Sequence, residues 1–227
     1  MSYSILPRDP RTQPEGVVQG YAQTAWRWPS QPLARRKLGL SELTGPRRLA
    51  LPLESQSHDL AGHGEKRAMG QVIHIRARVV DEDGAPLPGA TVELWHCNAS
   101  GRYIHPNDKS GSPEDPNLYG AARLVTGDSG VIELRTIKPG AYLVPDTDGW
   151  WRPPHVHISV FGRVWLSRLV TQMFFPGEPL NEHDAILNSV RDPEARARCI
   201  ARFAATSTAL VYEHDLVVRG RKAAAPL

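Results

Sequence analysis

The chain has 227 residues, of which 41% are hydrophobic and 22% charged, with a formal net charge of +3. That length and balance give one domain, or one domain with an arm, and exclude wholesale disorder and a disulfide-stapled miniprotein. Lys and Arg are scattered without a dense block and no stretch of 18 apolar residues occurs, so neither nucleic-acid binding nor a membrane span is expected.

Residues 1–20 lack the basic start and apolar core of a secretory leader. Residues 1–70 are broken by Pro7, Pro10, Pro14, Pro29, Pro32, Pro46 and Pro52, yet carry Tyr21, Trp26 and Trp28. Such a segment builds no core of its own but holds too much apolar surface for a solvated tail. It reads as an irregular N-terminal arm packed on its own domain or on a partner chain. Ser41–Thr44 is expected to form a short helical turn before Gly45-Pro46.

From residue 71 the period becomes two. Across Gln71–Asp81, Ile73, Ile75, Ala77 and Val79 alternate with Val72, His74, Arg76 and Arg78, which predicts a half-buried strand. Turns at Asp83-Gly84 and Pro88-Gly89 lead into a strand over Ala90–Cys97. Further strands are predicted at Val131–Ile137, Ala141–Val144, His155–Phe161, Ser167–Phe175 and Ala209–Arg219. Strands this dense with no intervening helix predict an antiparallel β-sandwich over 71–227. Only 181–205 reads as helical: Asp192-Pro193-Glu194 is a capped start, and Ala195, Cys199 and Phe203 give an apolar stripe.

The chemistry concentrates in Trp151-Arg152-Pro153-Pro154-His155-Val156-His157. On a strand His155 and His157 share a face, while Val156, Ile158 and Val160 point to the other, into a core. Paired imidazoles suit a metal, though two partly exposed strand histidines fit the same pattern. Around them stand tyrosines in tightly turned segments: Tyr103 after Gly101-Arg102, and Tyr142 after Pro139-Gly140-Ala141. Phenolate is a hard oxygen donor that selects a cation such as Fe(III), whereas core tyrosines with satisfied hydroxyls are the plainer reading. No cysteine pair, His-Glu-x-x-His or carboxylate cluster offers a zinc or magnesium site. Cys97 and Cys199 are far apart and suit a reducing cytoplasm.

Gly101-Arg102-Tyr103, Arg135–Tyr142 and Trp151–His157, in that order and spacing, resemble the signature of the intradiol ring-cleavage dioxygenases. The likeness runs from about Arg8 to Arg221 and is greatest to the iron-bearing chain of the members acting on protocatechuate. It implies a β-sandwich enzyme holding non-haem Fe(III) through Tyr103, Tyr142, His155 and His157. It further implies that Tyr142 is the tyrosine released when a catechol binds, that Arg152 stabilises negative charge developing on the ring, and that Gln172 lies near the substrate. Tyr21 matches a tyrosine that contacts the substrate carboxylate, and Trp95 is a packing residue. The implied reaction takes a small aromatic diol and O2, most directly protocatechuate, to 3-carboxy-cis,cis-muconate. An α-type partner chain in a hetero-oligomer is implied, with a homo-oligomer the other possibility. The family usually continues Tyr-Pro-Trp where this chain has Tyr142-Leu143-Val144, and His96 replaces a common Gln. The alternatives are a catechol or hydroxyquinol dioxygenase and a non-enzymatic β-sandwich binding module.

Overall fold

The computed structural model describes residues 9–18, 21, 28–31, 58–63, 65–161 and 168–218. The predicted turn at Ser41–Thr44, Trp26, and the limits of the resemblance at Arg8 and Arg221 lie outside them.

Among the described residues the strands run β1 (Gly62–His63), β2 (Lys66–Arg67), β3 (Val72–Val80), β4 (Thr91–Trp95), β5 (Ala121–Val125) and β6 (Val131–Ile137). They continue through β7 (Tyr142–Leu143), β8 (Trp151–Arg152), β9 (His155–Phe161) and β10 (Arg168–Phe174). Two short helices, α1 (Ala185–Asn188) and α2 (Pro193–Arg198), then precede β11 (Arg202–Phe203) and β12 (Val211–Val217).

Two four-stranded sheets, ordered β10-β9-β4-β5 and β11-β12-β3-β6, enclose one core. From β3 the predicted inward set Ile73, Ile75, Ala77 and Val79 is fully buried. Val92 and Leu94 of β4 and Val156, Ile158 and Val160 of β9 meet it from the opposite sheet. The fold is therefore the expected sandwich, and each strand's period of two decides which residues face the core.

Several details differ from the sequence expectation, beginning with β5 and β8, where no strand was predicted. β12 pairs with β3 in parallel, so the second sheet is mixed rather than antiparallel throughout. β3 and β12 are joined through all the elements from β4 to β11, far more chain than the crossover that parallel pairing needs. The predicted helical stretch is also interrupted: a 3-10 turn at Pro179–His183 is followed by α1 and α2 as separate pieces. Pro193, with no N–H, restarts the helix rather than continuing it, and the Asp192 side chain caps it by accepting from Ala195 N. The helix stops at Arg198, so Phe203 leaves the predicted stripe; it pairs instead with Tyr212 across β11–β12.

The helical segment is bound to the outer face of the first sheet. Phe174 of β10 packs with Leu187, Val190, Ala195 and Cys199, and its N–H donates to the Cys199 carbonyl at 2.8 Å. Residues near the start of the chain touch the same segment, through an Asp192 N to Arg11 O hydrogen bond of 2.9 Å and an Arg191–Glu15 ion pair.

Candidate active site

The site lies on the face of β9 turned away from the shared core. His155 and His157 alternate with Val156 and Ile158, so once the aliphatic pair enters the sandwich the imidazoles must face outward. Outward is not exposed here, because the helical segment and two loops cover that face, leaving His155 only 1% accessible.

Strand register then selects the neighbours. Trp95 of β4 and Gln172 of β10 lie directly opposite His157, and Phe174 lies opposite His155. The Trp95 ring stacks on His157 at 4.9 Å with planes 5° apart. On the β7–β8 ribbon Tyr142 lies opposite Arg152, so one two-residue pairing delivers both side chains to the histidines.

Two glycines let the tyrosine-bearing segments meet. Gly101 has φ +83°, and a Cβ there would sit 2.4 Å from the Ala141 carbonyl oxygen. A Cβ on Gly140 would sit 2.3 Å from the Ala99 carbonyl oxygen. Only glycine permits this backbone contact. The Tyr103 loop is further fixed by Asn98, whose Oδ1 accepts from Ser100 N and Arg102 N, and by Asp108, whose Oδ2 accepts from Tyr103 N at 2.8 Å.

As a result Tyr103, Tyr142, His155 and His157 converge. Tyr103 Oη is 3.1 Å from His157 Nε2, the two phenol rings are 5.6 Å apart edge to face, and the two imidazoles are 4.9 Å apart. His155 Nδ1 donates to the Pro153 carbonyl at 2.7 Å, which leaves its Nε2 lone pair facing inward. Burial first, and then the nearby Arg152 charge, hold both histidines well below their ordinary range, His157 at about 3. Burial likewise pushes both phenols up; the neighbouring Tyr142 adds to this at Tyr103, whereas Arg152 opposes it at Tyr142.

Two neutral imidazoles and two phenols in a largely enclosed site make a coherent donor set for a cation. Neutral imidazole is the ligating form, and a cation supplies the charge that phenolates need where water cannot. Among the described residues no group of three or more His, Cys, Asp or Glu side chains gathers to hold a metal. The oxygen donors are therefore tyrosines, and hard phenolates with imidazoles fit a trivalent iron ion.

Arg152 adjoins this cluster and is 3% accessible. Its Nη1 donates to His155 Nε2 at 3.2 Å and its Nη2 to Gln172 Oε1 at 2.7 Å. Burial opposes its charge, but Asp184 and the two tyrosines more than offset that, so it remains a guanidinium. Gln172 Nε2 in turn reaches His157 Nδ1 at 3.2 Å. Tyr21 stands farther out: its ring meets Trp150 edge to face at 5.6 Å, and Trp150 lies 6.0 Å from the Arg152 guanidinium. His96 is wholly occupied, bonding Cys97 O at 2.7 Å and Thr136 Oγ1 at 2.8 Å. It braces the interior rather than joining the cluster.

The Dioxygenase family pattern matches residues 43–220. Over 226 residues the chain is 41% identical to the protocatechuate 3,4-dioxygenase beta chain of Burkholderia cepacia, spanning 96% of this chain and 95% of that one. The protein is an intradiol dioxygenase. The protocatechuate 3,4-dioxygenase alpha chain of Pseudomonas putida is 29% identical, over 67% of this chain and 74% of that one. Among solved structures, 3-chlorocatechol 1,2-dioxygenase from Rhodococcus opacus 1CP superposes with a TM-score of 0.54 at 25% identity. It covers 69% of this chain and 62% of that one.

In this intradiol dioxygenase, the residue that sequence reasoning missed is Asp184. It is fully buried and pairs with Arg152. Its position ahead of Ala185-Ile186-Leu187 has the pattern of a helix cap, which says nothing of a partner 32 residues upstream.

Proposed function

We propose that the protein is an Fe(III)-dependent intradiol dioxygenase that cleaves protocatechuate between its hydroxylated carbons, giving 3-carboxy-cis,cis-muconate. The observation that carries this reading is the convergence of Tyr103, Tyr142, His155 and His157 in one largely buried cluster that, among the described residues, no carboxylate joins. Those four residues would hold the iron. Bound there, ferric iron would make a chelated catechol electron-rich enough for O2 to attack its ring.

The chain's own groups have separable parts. Tyr142 is half-buried, faces Arg152, and as a phenolate can accept a proton from the incoming diol. Arg152 keeps its positive charge beside the ligands, where it stabilises negative charge developing on the ring. Gln172 ties Arg152 to His157 and so fixes one orientation of both. Trp95, flat against His157, closes one side of the site to water.

For the carboxylated substrate, support comes from the nearly full-length likeness to a protocatechuate 3,4-dioxygenase beta chain. Tyr21, on the Arg152 side of the cluster through Trp150, would contact the carboxylate. Leu143 and Trp151 pair across β7–β8 and are 45% and 49% exposed, an apolar outer face on which an α-type partner chain can pack. Two free buried cysteines accord with a cytoplasmic location.

The deciding experiment is a turnover screen with protocatechuate, catechol and hydroxyquinol, with and without a co-expressed α-type chain, alongside an iron assay. The expected result is stoichiometric ferric iron and highest kcat/KM on protocatechuate. Preference for unsubstituted catechol would transfer the assignment to a catechol 1,2-dioxygenase, and protein purified without iron would remove it.

A further inference from the structure

Arg152 cannot choose its own orientation. A guanidinium carries five N–H donors in a plane, and a buried one settles wherever acceptors hold most of them. Three are taken by Asp184 and Gln172. Nε donates to Asp184 Oδ2 at 2.9 Å, and Nη2 donates to Asp184 Oδ1 at 3.2 Å and to Gln172 Oε1 at 2.7 Å. Only Nη1 is left to face the ligand cluster, where it meets His155 Nε2. Asp184 is in turn held by α1: its Oδ1 accepts from Leu187 N at 2.7 Å, and it has no solvent exposure. The carboxylate is thus fixed by the helical segment on one side and presents its oxygens to Arg152 on the other.

We propose that Asp184 is the positioning residue for Arg152, aiming Nη1 at the reacting centre from the N-cap of α1. This rests on the functional reading above. Without the carboxylate, the Nε edge has no anionic acceptor and the buried charge must turn elsewhere. A displacement of about 1 Å in a group that stabilises developing charge lowers turnover on the order of a hundredfold. Substrate binding depends on other contacts, so KM should move less than kcat.

The helix cap and the arginine clamp can be separated, because Asn and Ser also cap helices whereas neither presents two anionic oxygens. Asp184→Asn, with Asp184→Ser as the second variant, should crystallise with α1 intact and the Arg152 guanidinium moved by more than about 1 Å. Turnover of whichever catechol the wild type cleaves should fall about tenfold to a hundredfold, with KM changed less than about threefold. In an Arg152→Ala background, adding Asp184→Asn should change kcat less than about twofold, since the residue would act only through the arginine. An equal loss in both backgrounds, an unmoved guanidinium, or a wild-type crystal in which Asp184 does not hold Arg152 would each overturn the proposal. If the wild type cleaves no catechol the functional reading fails, while the crystal structures still decide whether Asp184 orients Arg152.

Discussion

Gln172 lies directly across the β9–β10 ladder from His157, and its amide bridges that histidine to Arg152. Its oxygen accepts from Arg152 Nη2 at 2.7 Å, which leaves its nitrogen against His157 Nδ1 at 3.2 Å. An isolated strand glutamine would be unremarkable, but here one side chain orients both a ligand candidate and the nearby charge. Gln172→Leu keeps the volume and removes both bonds. Leaving the buried arginine donor unpartnered costs about 1–3 kcal/mol. Thermal denaturation should show that loss; unchanged stability would mean that the amide serves packing alone.

The metal prediction is direct. Aerobically purified protein should be red-brown from charge transfer between tyrosinate and ferric iron, given the edge-to-face Tyr103–Tyr142 pair beside the histidines. His157→Ala should lose both iron and colour. A colourless wild-type protein that takes up zinc in preference to iron would refute the donor assignment.

Gly101 tests the scaffold. Gly101→Ala forces a side chain onto a backbone at φ +83° and drives its Cβ into the Ala141 carbonyl oxygen. The backbone conformation alone costs about 1–3 kcal/mol, and relief of the clash must separate the Tyr103 loop from the Tyr142 ribbon. Both stability and iron content should therefore fall. Gly84→Ala, at φ +84° in open space, is the control, since it should lose stability but keep iron.

Acid sensitivity should come partly from His214, on β12. The side chain is buried, its Nε2 has no hydrogen-bond partner, and burial lowers its pKa from 6.5 to about 4. Asp215 opposes the shift and Arg202 reinforces it. Because the folded state resists protonation more than the unfolded chain, the contribution is complete above pH 6.5 and is lost as pH falls to about 4. The difference is about 3 kcal/mol. Urea denaturation of wild type and His214→Leu at pH 7 and pH 4 should show the wild type losing that much more; parallel losses would place the acid-labile group elsewhere.

Much of this was legible in the sequence for a simple reason. β3 and β9 are long enough for their alternation to decide the faces, so the buried aliphatic set and the outward His155–His157 pair were fixed by period alone. Residues joined by non-local geometry were not. Asp184 and Arg152 belong to different elements, and nothing in either local pattern signals their pairing. The parallel β12–β3 pairing was hidden for the same reason, since alternation reports which side faces the core but not strand direction. Phe203 shows the opposite failure: its helical spacing from Cys199 was real, but the chain had already left the helix.

The last prediction concerns how the site distinguishes its substrate. Tyr21 does not join the four converging donors; it meets Trp150 edge to face, and Trp150 adjoins Arg152. A catechol held by its two oxygens at the ligand cluster would direct a ring substituent away from that cluster, so recognition of a carboxylate belongs to residues of this outer tier. Val144, 3% accessible, is tied to the same tier by its N–H, which donates to the Trp150 carbonyl at 2.9 Å. If Tyr21 donates to the carboxylate, Tyr21→Phe removes one hydrogen bond to a charged group, a loss of about 1.5–3 kcal/mol. That converts to roughly tenfold to a hundredfold in kcat/KM on protocatechuate, with little change on unsubstituted catechol. The Tyr21–Trp150 ring contact survives the substitution, so lost packing should not contribute. Steady-state kinetics on both substrates checks this: equal losses would show that Tyr21 only supports Trp150, and the carboxylate would then have to be recognised by other groups.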